Sequence, residues 1–429
     1  MPAAADQSTY RLTRLDGGAR VIVAPMRERA SVSVALMFAA GSRHEDAEAS
    51  GLSHFIEHMF FKGSQRYRSS REISEAIEGV GGVLNAATDK ELTLYWTRVP
   101  AGRLDLALDV LNDMIFGARF DELELSKERD VVIEELRMYQ DNPQEYVHTI
   151  FEEVMWPDHP LGRDTAGTEA TVRSFTRDDC LRHLRTHYHS DRLVISVAGA
   201  VEYEHALEKA TAAVGTWGNG ATPAWRSAEP VEPQAQMRVT YRRTEQANIV
   251  FGSRAASYLD ADRYAVDMLN VVLGEGMSSR LFLELRENRG LAYDVHSFTV
   301  KHRDSGALAI YIGCEPRRAV QAIDAAIAEL RRLAEEPVAA DELQKVREYA
   351  RGRLLLGLEG TNAMCSFLGQ QELLTSEILL PAAIAARIDA VTAEDIRAAA
   401  AAVLARGLRG AVIGPFRSAD KFTQVLSLS

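Results

Sequence analysis

Within Gly51 to Gly63, GLSHFIEHMFFKG, two histidines, His54 and His58, stand four residues apart with Glu57 between them. On an α-helix that spacing puts both imidazoles on one face, one turn apart. Each can then offer one nitrogen to a single Zn²⁺ at about 2.0–2.1 Å, which fills two of its four positions. Glu57 follows His54 by three residues and adjoins His58, so its carboxylate can reach a water on the metal rather than the metal itself. Zinc lowers the pKa of such a water to near ~7, and a carboxylate can take its proton as it attacks a peptide carbonyl. The order, HxxEH, reverses the commoner HExxH.

A third protein ligand should come from another helix, and the acidic stretch ERDVVIEELRMYQ offers Glu128, Glu134 and Glu135. Glu128 and Glu135 are two turns apart and share a face, whereas Glu134 is rotated from them by about 100°. Glu135 can ligate while Glu128 supports from behind. Read by themselves, the same residues also describe a partly exposed histidine-bearing helix and a solvated acidic helix with Glu to Lys or Arg pairs. Two buried histidines on so apolar a helix would still require partners for their ring nitrogens, which a shared metal supplies.

These side chains need rigid elements behind them. The HxxEH segment reads as a helix that packs through Leu52, Phe55, Ile56, Met59 and Phe60 and ends near Gly63. Strand patterns such as Ser31 to Phe38 and Leu92 to Thr97 are interleaved with long helical patterns, which predicts an α+β fold. Gly215 to Pro233, rich in Gly, Pro and polar residues, reads as a linker. The expected organisation is an N-terminal metal-binding domain over 1–214, a linker over 215–233 and a C-terminal domain over 234–429. Each domain is a mostly antiparallel sheet covered by helices.

The two domains are expected to be homologous. Sliding the chain by 218 positions lays Glu124–Glu135 over Glu342–Arg353, His54–Met59 over Val272–Met277, and Leu92–Trp96 over Ile310–Cys314. In that overlay Val272, Gly276 and Arg353 stand where the first copy has His54, His58 and Glu135. The second domain therefore carries no metal ligands and is free to handle substrate.

Bulk properties narrow the function classes. A chain of 429 residues exceeds one ordinary core. Its 46% hydrophobic and 26% charged residues, without an apolar run near ~20, suit a globular protein with no membrane partner. A net charge of −12 with no basic patch argues against nucleic acid as a partner. The first residues resemble neither a secretory signal nor a transit peptide, so a cytoplasmic location is expected. Cys180, Cys314 and Cys365 are scattered and make no metal motif or disulfide framework. His187 and His189 read as ordinary residues leading into a strand. Gly274 and Gly276 lack the Lys-Ser or Lys-Thr of a nucleotide loop.

HFIEH, the later ERDVVIEE helix, GGVLNAATDKELT, HPLGRDTAGTEATV and GEGMSSRLFLELRENRGLAYDVHSF together resemble the pitrilysin and insulin-degrading enzyme superfamily. The likeness is greatest to its processing peptidase-like branch of short subunits and covers essentially the whole chain. The resemblance implies a zinc endopeptidase with His54, His58 and Glu135 as ligands of one Zn²⁺ per chain, Glu57 as base and Glu128 beside the site. It implies that Asn85 and Ala86 bind an extended peptide as an added strand. It also implies that Arg286 and Tyr293 contact the substrate carbonyl region, where they can donate to an oxyanion. Without the family, Arg286 reads as a surface ion pair and Tyr293 as a core aromatic.

Because the family's chamber takes four such domains, the resemblance implies a homodimer in which the second domain of one chain faces the zinc of the other. Unfolded peptides are then the expected substrates. The alternatives are a noncatalytic scaffold and a subunit that depends on a different partner chain. The long glycine-rich loop of the noncatalytic processing subunit is absent, with only Leu273 to Ser278 in its place.

Overall fold

A computed structural model describes residues 9–214, 218, 220, 224–230 and 232–427, so the expected linker lies partly outside the described residues. Two sheets form. The first contains β1 (Arg11–Arg14), β2 (Arg20–Pro25), β3 (Ser31–Phe38), β4 (Val83–Thr88), β5 (Thr93–Pro100) and β6 (Leu193–Gly199), in the order β1-β2-β6-β3-β5-β4. The second contains β7 (Gln236–Tyr241), β8 (Ala247–Ala255), β9 (Asp294–Lys301), β10 (Gly306–Cys314) and β11 (Arg409–Gly414), in the order β7-β11-β8-β10-β9.

From β2 and β7 onward the two orders match position by position. Each contains one parallel pair, β2 with β6 and β7 with β11, among antiparallel ones. The fold is thus the α+β duplication expected from sequence.

Six helices matter for the argument: α1 (Leu52–Phe60), α2 (Glu122–Asp141), α3 (Pro143–Met155), α4 (Arg263–Gly274), α5 (Ala340–Gly357) and α6 (Thr361–Thr375). By contacts the chain divides into two compact units. One comprises Met1–Leu136, Asp164–Arg226 and Leu355–Leu380, the other Arg137–Arg163, Ser227–Leu354 and Pro381–Ser429. The break between Arg226 and Ser227 falls inside the expected linker, but the units are not the contiguous spans 1–214 and 234–429.

The difference comes from two helices that pack on the sheet of the other sequence half. In the first unit α6 covers β3 and β6. Ser33 and Thr361 are joined hydroxyl to hydroxyl at 2.9 Å, and Ser196 donates to the Cys365 carbonyl at 2.7 Å. In the second unit α3 covers β8 and β11. Its Val147, Ile150 and Phe151 join Val250, Ala309, Tyr311 and Ile413 in a core of their own.

Strand β10, GALAIYIGC, shows why both faces of that sheet must be covered. Its Leu308, Ile310 and Ile312 enter the main core, while the alternating Ala307, Ala309 and Tyr311 enter the core beneath α3. An apolar stripe on a helix predicts burial without saying which sheet receives it.

The internal repeat is also out of register over part of its length. The ungapped shift superposes α2 on α5 correctly. It lays His54–Met59 over the last residues of α4 and the turn beyond, and it sets the start of β5 against the end of β10. The connection from β3 to α1 carries two 3₁₀ turns, Ser42–His44 and Ala47–Ala49, which the shorter path from β8 to α4 lacks. Val272 and Gly276 are therefore not the structural counterparts of the histidines.

Candidate metal centre

Helix α1 is a buried wedge. Leu52, Phe55, Ile56, Met59 and Phe60 are all buried, as their spacing predicts. Its N-terminus is closed by the chain that precedes it. The Glu45 carboxylate accepts from the backbone N–H of Gly51 at 2.8 Å and of Ser53 at 2.6 Å, groups that a helix start otherwise leaves unpaired. Gly51 itself has φ 95°, a left-handed conformation suited to glycine. His54 thus sits in the first turn of a helix whose start is fixed by both backbone and side chain.

On α2, Leu125, Glu128, Val132, Ile133 and Leu136 face inward, while Glu134 is exposed, in agreement with its rotation off the ligand face. Glu135 meets the two histidines. Nε2 of His58 is 3.3 Å from Nε2 of His54 and 3.4 Å from Oε2 of Glu135, and His54 Nε2 is 3.9 Å from that same oxygen. A tetrahedral zinc with bonds near 2.0–2.1 Å requires ligand atoms about 3.3 Å apart. Two edges of the triangle meet that spacing, and the third needs a shift of about half an ångström. Among the described residues these three form the group able to hold a metal ion.

The donor set has the chemistry of a zinc site. Nδ1 of His54 is buried and has no hydrogen-bond partner, so its environment gives no support to a second proton. Burial, with the neighbouring His58 second, pushes the pKa of His54 down to about 4, which leaves it neutral and able to ligate at pH 7.

His58 behaves differently. Burial pulls it down, but the hydrogen bond to Glu128 and the charges of Glu135 and Glu57 outweigh that pull and hold it above the usual imidazole value.

Glu128 lies behind His58. It accepts from Nδ1 of His58 at 2.9 Å and pairs with Nζ of Lys62 at 2.6 Å. Burial pushes its carboxyl upward, yet the bonds from His58 and Lys62 win and keep it below the usual glutamate value. With Nδ1 holding the proton, Nε2 of His58 turns its lone pair toward Glu135 and His54.

Glu57 is held by a strand instead. The Thr88 hydroxyl donates to its Oε2 at 2.5 Å. Burial raises its carboxyl above the usual value, opposed by that bond and by His58. Neither Lys62 nor Thr88 was singled out by sequence. Lys62 could have been found, since it follows His58 by four residues on the same helical path. Nothing in the spacing points to Thr88, which arrives from a strand.

Asn85 and Ala86 lie on β4, which among the described residues is an edge strand paired with β5. Its burial alternates residue by residue, with Val83, Asn85 and Ala87 exposed. In the second unit, Arg286 lies on a π-helical segment, Phe282–Asn288, with its guanidinium 5.0 Å from the Phe282 ring and 5.4 Å from the Tyr293 ring. Tyr293 is 73% exposed, so it is not a core aromatic. His187 packs against His183 and His44 in a separate buried cluster.

Residues 20–169 match the family described as insulinase (peptidase family M16), and residues 174–349 match the peptidase M16 inactive domain. The chain is 37% identical over 418 residues to an uncharacterized zinc protease of Streptomyces coelicolor, covering 95% of this chain and 90% of that one. The chain belongs to peptidase family M16. This M16 chain is also 36% identical over 400 residues to the uncharacterized zinc protease YmxG of Bacillus subtilis, covering 93% and 96% of the two chains.

Among solved structures, a protease from Helicobacter pylori aligns at TM-score 0.88 and 21% identity, covering 95% of this chain and 99% of that one. A peptidase M16 inactive domain from Pseudomonas fluorescens aligns at TM-score 0.87 and 19% identity, with the same coverage. At those identities the M16 likeness is one of fold. Among the described residues no helix is long and apolar enough to cross a membrane.

Proposed function

We propose that this M16 chain is a zinc-dependent endopeptidase acting on extended, unfolded peptides, with one Zn²⁺ per chain held by His54, His58 and Glu135. The reading rests on the convergence of Nε2 of both histidines and Oε2 of Glu135 within 3.3 to 3.9 Å, beside the half-buried Glu57, which lies outside that group. It is further supported by relatives named as zinc proteases along nearly their whole length.

When bound, zinc supplies Lewis acidity, bringing a neighbouring water within reach of a carboxylate base near neutral pH and polarising the peptide carbonyl. Glu57 takes a proton from that water as its oxygen bonds to the carbonyl carbon. The C–N bond then breaks as Glu57 returns the proton to the departing amine. His58 is held in its ligating tautomer by Glu128, whose charge Lys62 offsets. In the homodimer, Arg286 and Tyr293 of one chain donate to the carbonyl oxygen at the zinc site of the other as that oxygen gains negative charge.

Asn85 and Ala86 present the open edge of β4 to the substrate backbone, which selects extended segments by main-chain pairing and excludes folded ones. The C-terminal domain handles substrate, and two chains associate as a homodimer. The test is digestion of an unstructured peptide library by the purified chain, with zinc measured on the same sample. Stoichiometric zinc, cleavage abolished by a chelator and cleavage lost in Glu57→Gln are expected. Absence of zinc together with wild-type cleavage by Glu57→Gln would refute the reading.

A further inference from the structure

The turn after β4 is held more firmly than a surface hairpin requires. Asp89 closes it by donating its N–H to the Leu92 carbonyl at 2.8 Å. Ser42 and Arg43 then donate their backbone N–H groups to the carbonyls of Asp89 and Lys90, at 3.2 and 2.8 Å. Gly41 passes so close that a Cβ there would lie 2.2 Å from the Asp89 carbonyl oxygen. Beneath the turn, Arg43, 1% exposed, is paired with the Glu91 carboxylate at 2.6 Å. Burying such a pair is costly and adds little stability by itself.

What this turn delivers is Thr88, the last residue of β4, in register with the buried Thr93 of β5. Helix α1 packs against β4, and the Thr88 hydroxyl donates to Oε2 of Glu57 at 2.5 Å. A carboxylate on an exposed helix face samples several rotamers, and a misplaced base loses rate steeply.

We propose that Thr88 is a positioning residue. Its hydroxyl, carried on a strand end anchored through Gly41, Arg43 and Glu91, holds the Glu57 carboxylate in the orientation that proton transfer needs. The same strand bears Asn85 and Ala86, so the edge offered to a peptide and the base are linked by one hydrogen bond. This rests on the zinc endopeptidase reading above.

The test compares Thr88→Val and Thr88→Ser in the full-length zinc-loaded protein. Valine keeps the shape and the strand preference while removing the donor. Thr88→Val should lower kcat about tenfold with KM and zinc content unchanged, and Thr88→Ser should restore it. In a Glu57→Gln background Thr88→Val should cost nothing further. Crystal structures of wild type and Thr88→Val should show the Glu57 carboxylate leaving its place against β4.

Wild-type kcat in Thr88→Val, a loss of kcat explained by lost zinc, or a Glu57 side chain unmoved in the variant crystal would each overturn the proposal. A wild-type chain with no peptidase activity would refute the parent reading alone. The crystal comparison would still decide whether Thr88 holds Glu57.

Discussion

Glu128 accepts a hydrogen bond from Nδ1 of His58 at 2.9 Å, on the ring edge opposite the nitrogen that faces Glu135. For His58 that bond ties down the far nitrogen and sets both tautomer and ring orientation. Glu128→Gln keeps the shape but replaces the charged acceptor and leaves Lys62 without its counter-ion. Zinc affinity should fall about 10–100-fold, the usual effect of losing such a support. Competition with a chromogenic chelator measures it. Unchanged affinity would mean that Glu128 serves packing rather than the metal.

Glu135 and Glu134 are adjacent in sequence yet should behave oppositely. Glu135 approaches Nε2 of both histidines, while Glu134 is exposed on a different face of α2. Glu135→Gln should cost more affinity than Glu128→Gln, because a ligand is lost rather than its support. Glu134→Gln should leave zinc content unchanged. Equal losses in the two variants, read by metal analysis after dialysis, would contradict the assignment of Glu135 as ligand.

Much of this site was legible from residue spacing. The i, i+4 histidines, the seven-residue separation of Glu128 from Glu135 and the rotation of Glu134 all follow from helix geometry. So do the buried positions of α1, from Leu52 to Phe60. The exchange of α3 and α6 between the two sheets was not legible, since an amphipathic helix does not encode which sheet it covers. Thr88 was hidden for a related reason. Its partner Glu57 is distant in sequence, and strand alternation predicts only that one face of β4 turns inward. The register error in the repeat arose from the two 3₁₀ turns before α1, which an ungapped comparison cannot see.

Gly51 should be intolerant of any side chain. Its φ of 95° is left-handed, and a Cβ there would lie 2.5 Å from the Ala166 carbonyl oxygen and 2.9 Å from the Gly167 Cα. Gly51→Ala should destabilise the fold by about 1–3 kcal/mol from conformational strain alone, with the backbone clash adding to it. Because His54 lies in the turn that Gly51 begins, zinc affinity should fall with stability. Urea denaturation and metal competition on the same variant provide the check, and a wild-type midpoint would show that the helix start can relax.

Acid should weaken the fold through a second histidine cluster, whose His183 Nε2 lies 3.3 Å from the Ser53 hydroxyl. The rings of His183 and His187 lie 4.4 Å apart, and those of His44 and His187 lie 5.8 Å apart. Burial first, then Arg192 and His187, push His44 down to about 3. Burial first, then Arg192 and His189, push His187 to about 4, and burial with His187 and His44 takes His183 well below the ordinary value. All three are neutral in the folded chain at pH values where the unfolded chain, with histidines near ~6.5, is already protonated.

The unfolded state therefore binds more protons below pH ~6.5, and stability falls as pH drops from there toward 4. Each histidine contributes up to about 1.4 kcal/mol per pH unit over that window, and none above it. Urea midpoints should decline steeply between pH 6 and 5. His187→Phe, which removes one proton site and the like charge facing the other two rings, should make that decline shallower. A wild-type slope in His187→Phe would place the acid sensitivity elsewhere, with the metal-site carboxylates and His54 the next groups to test.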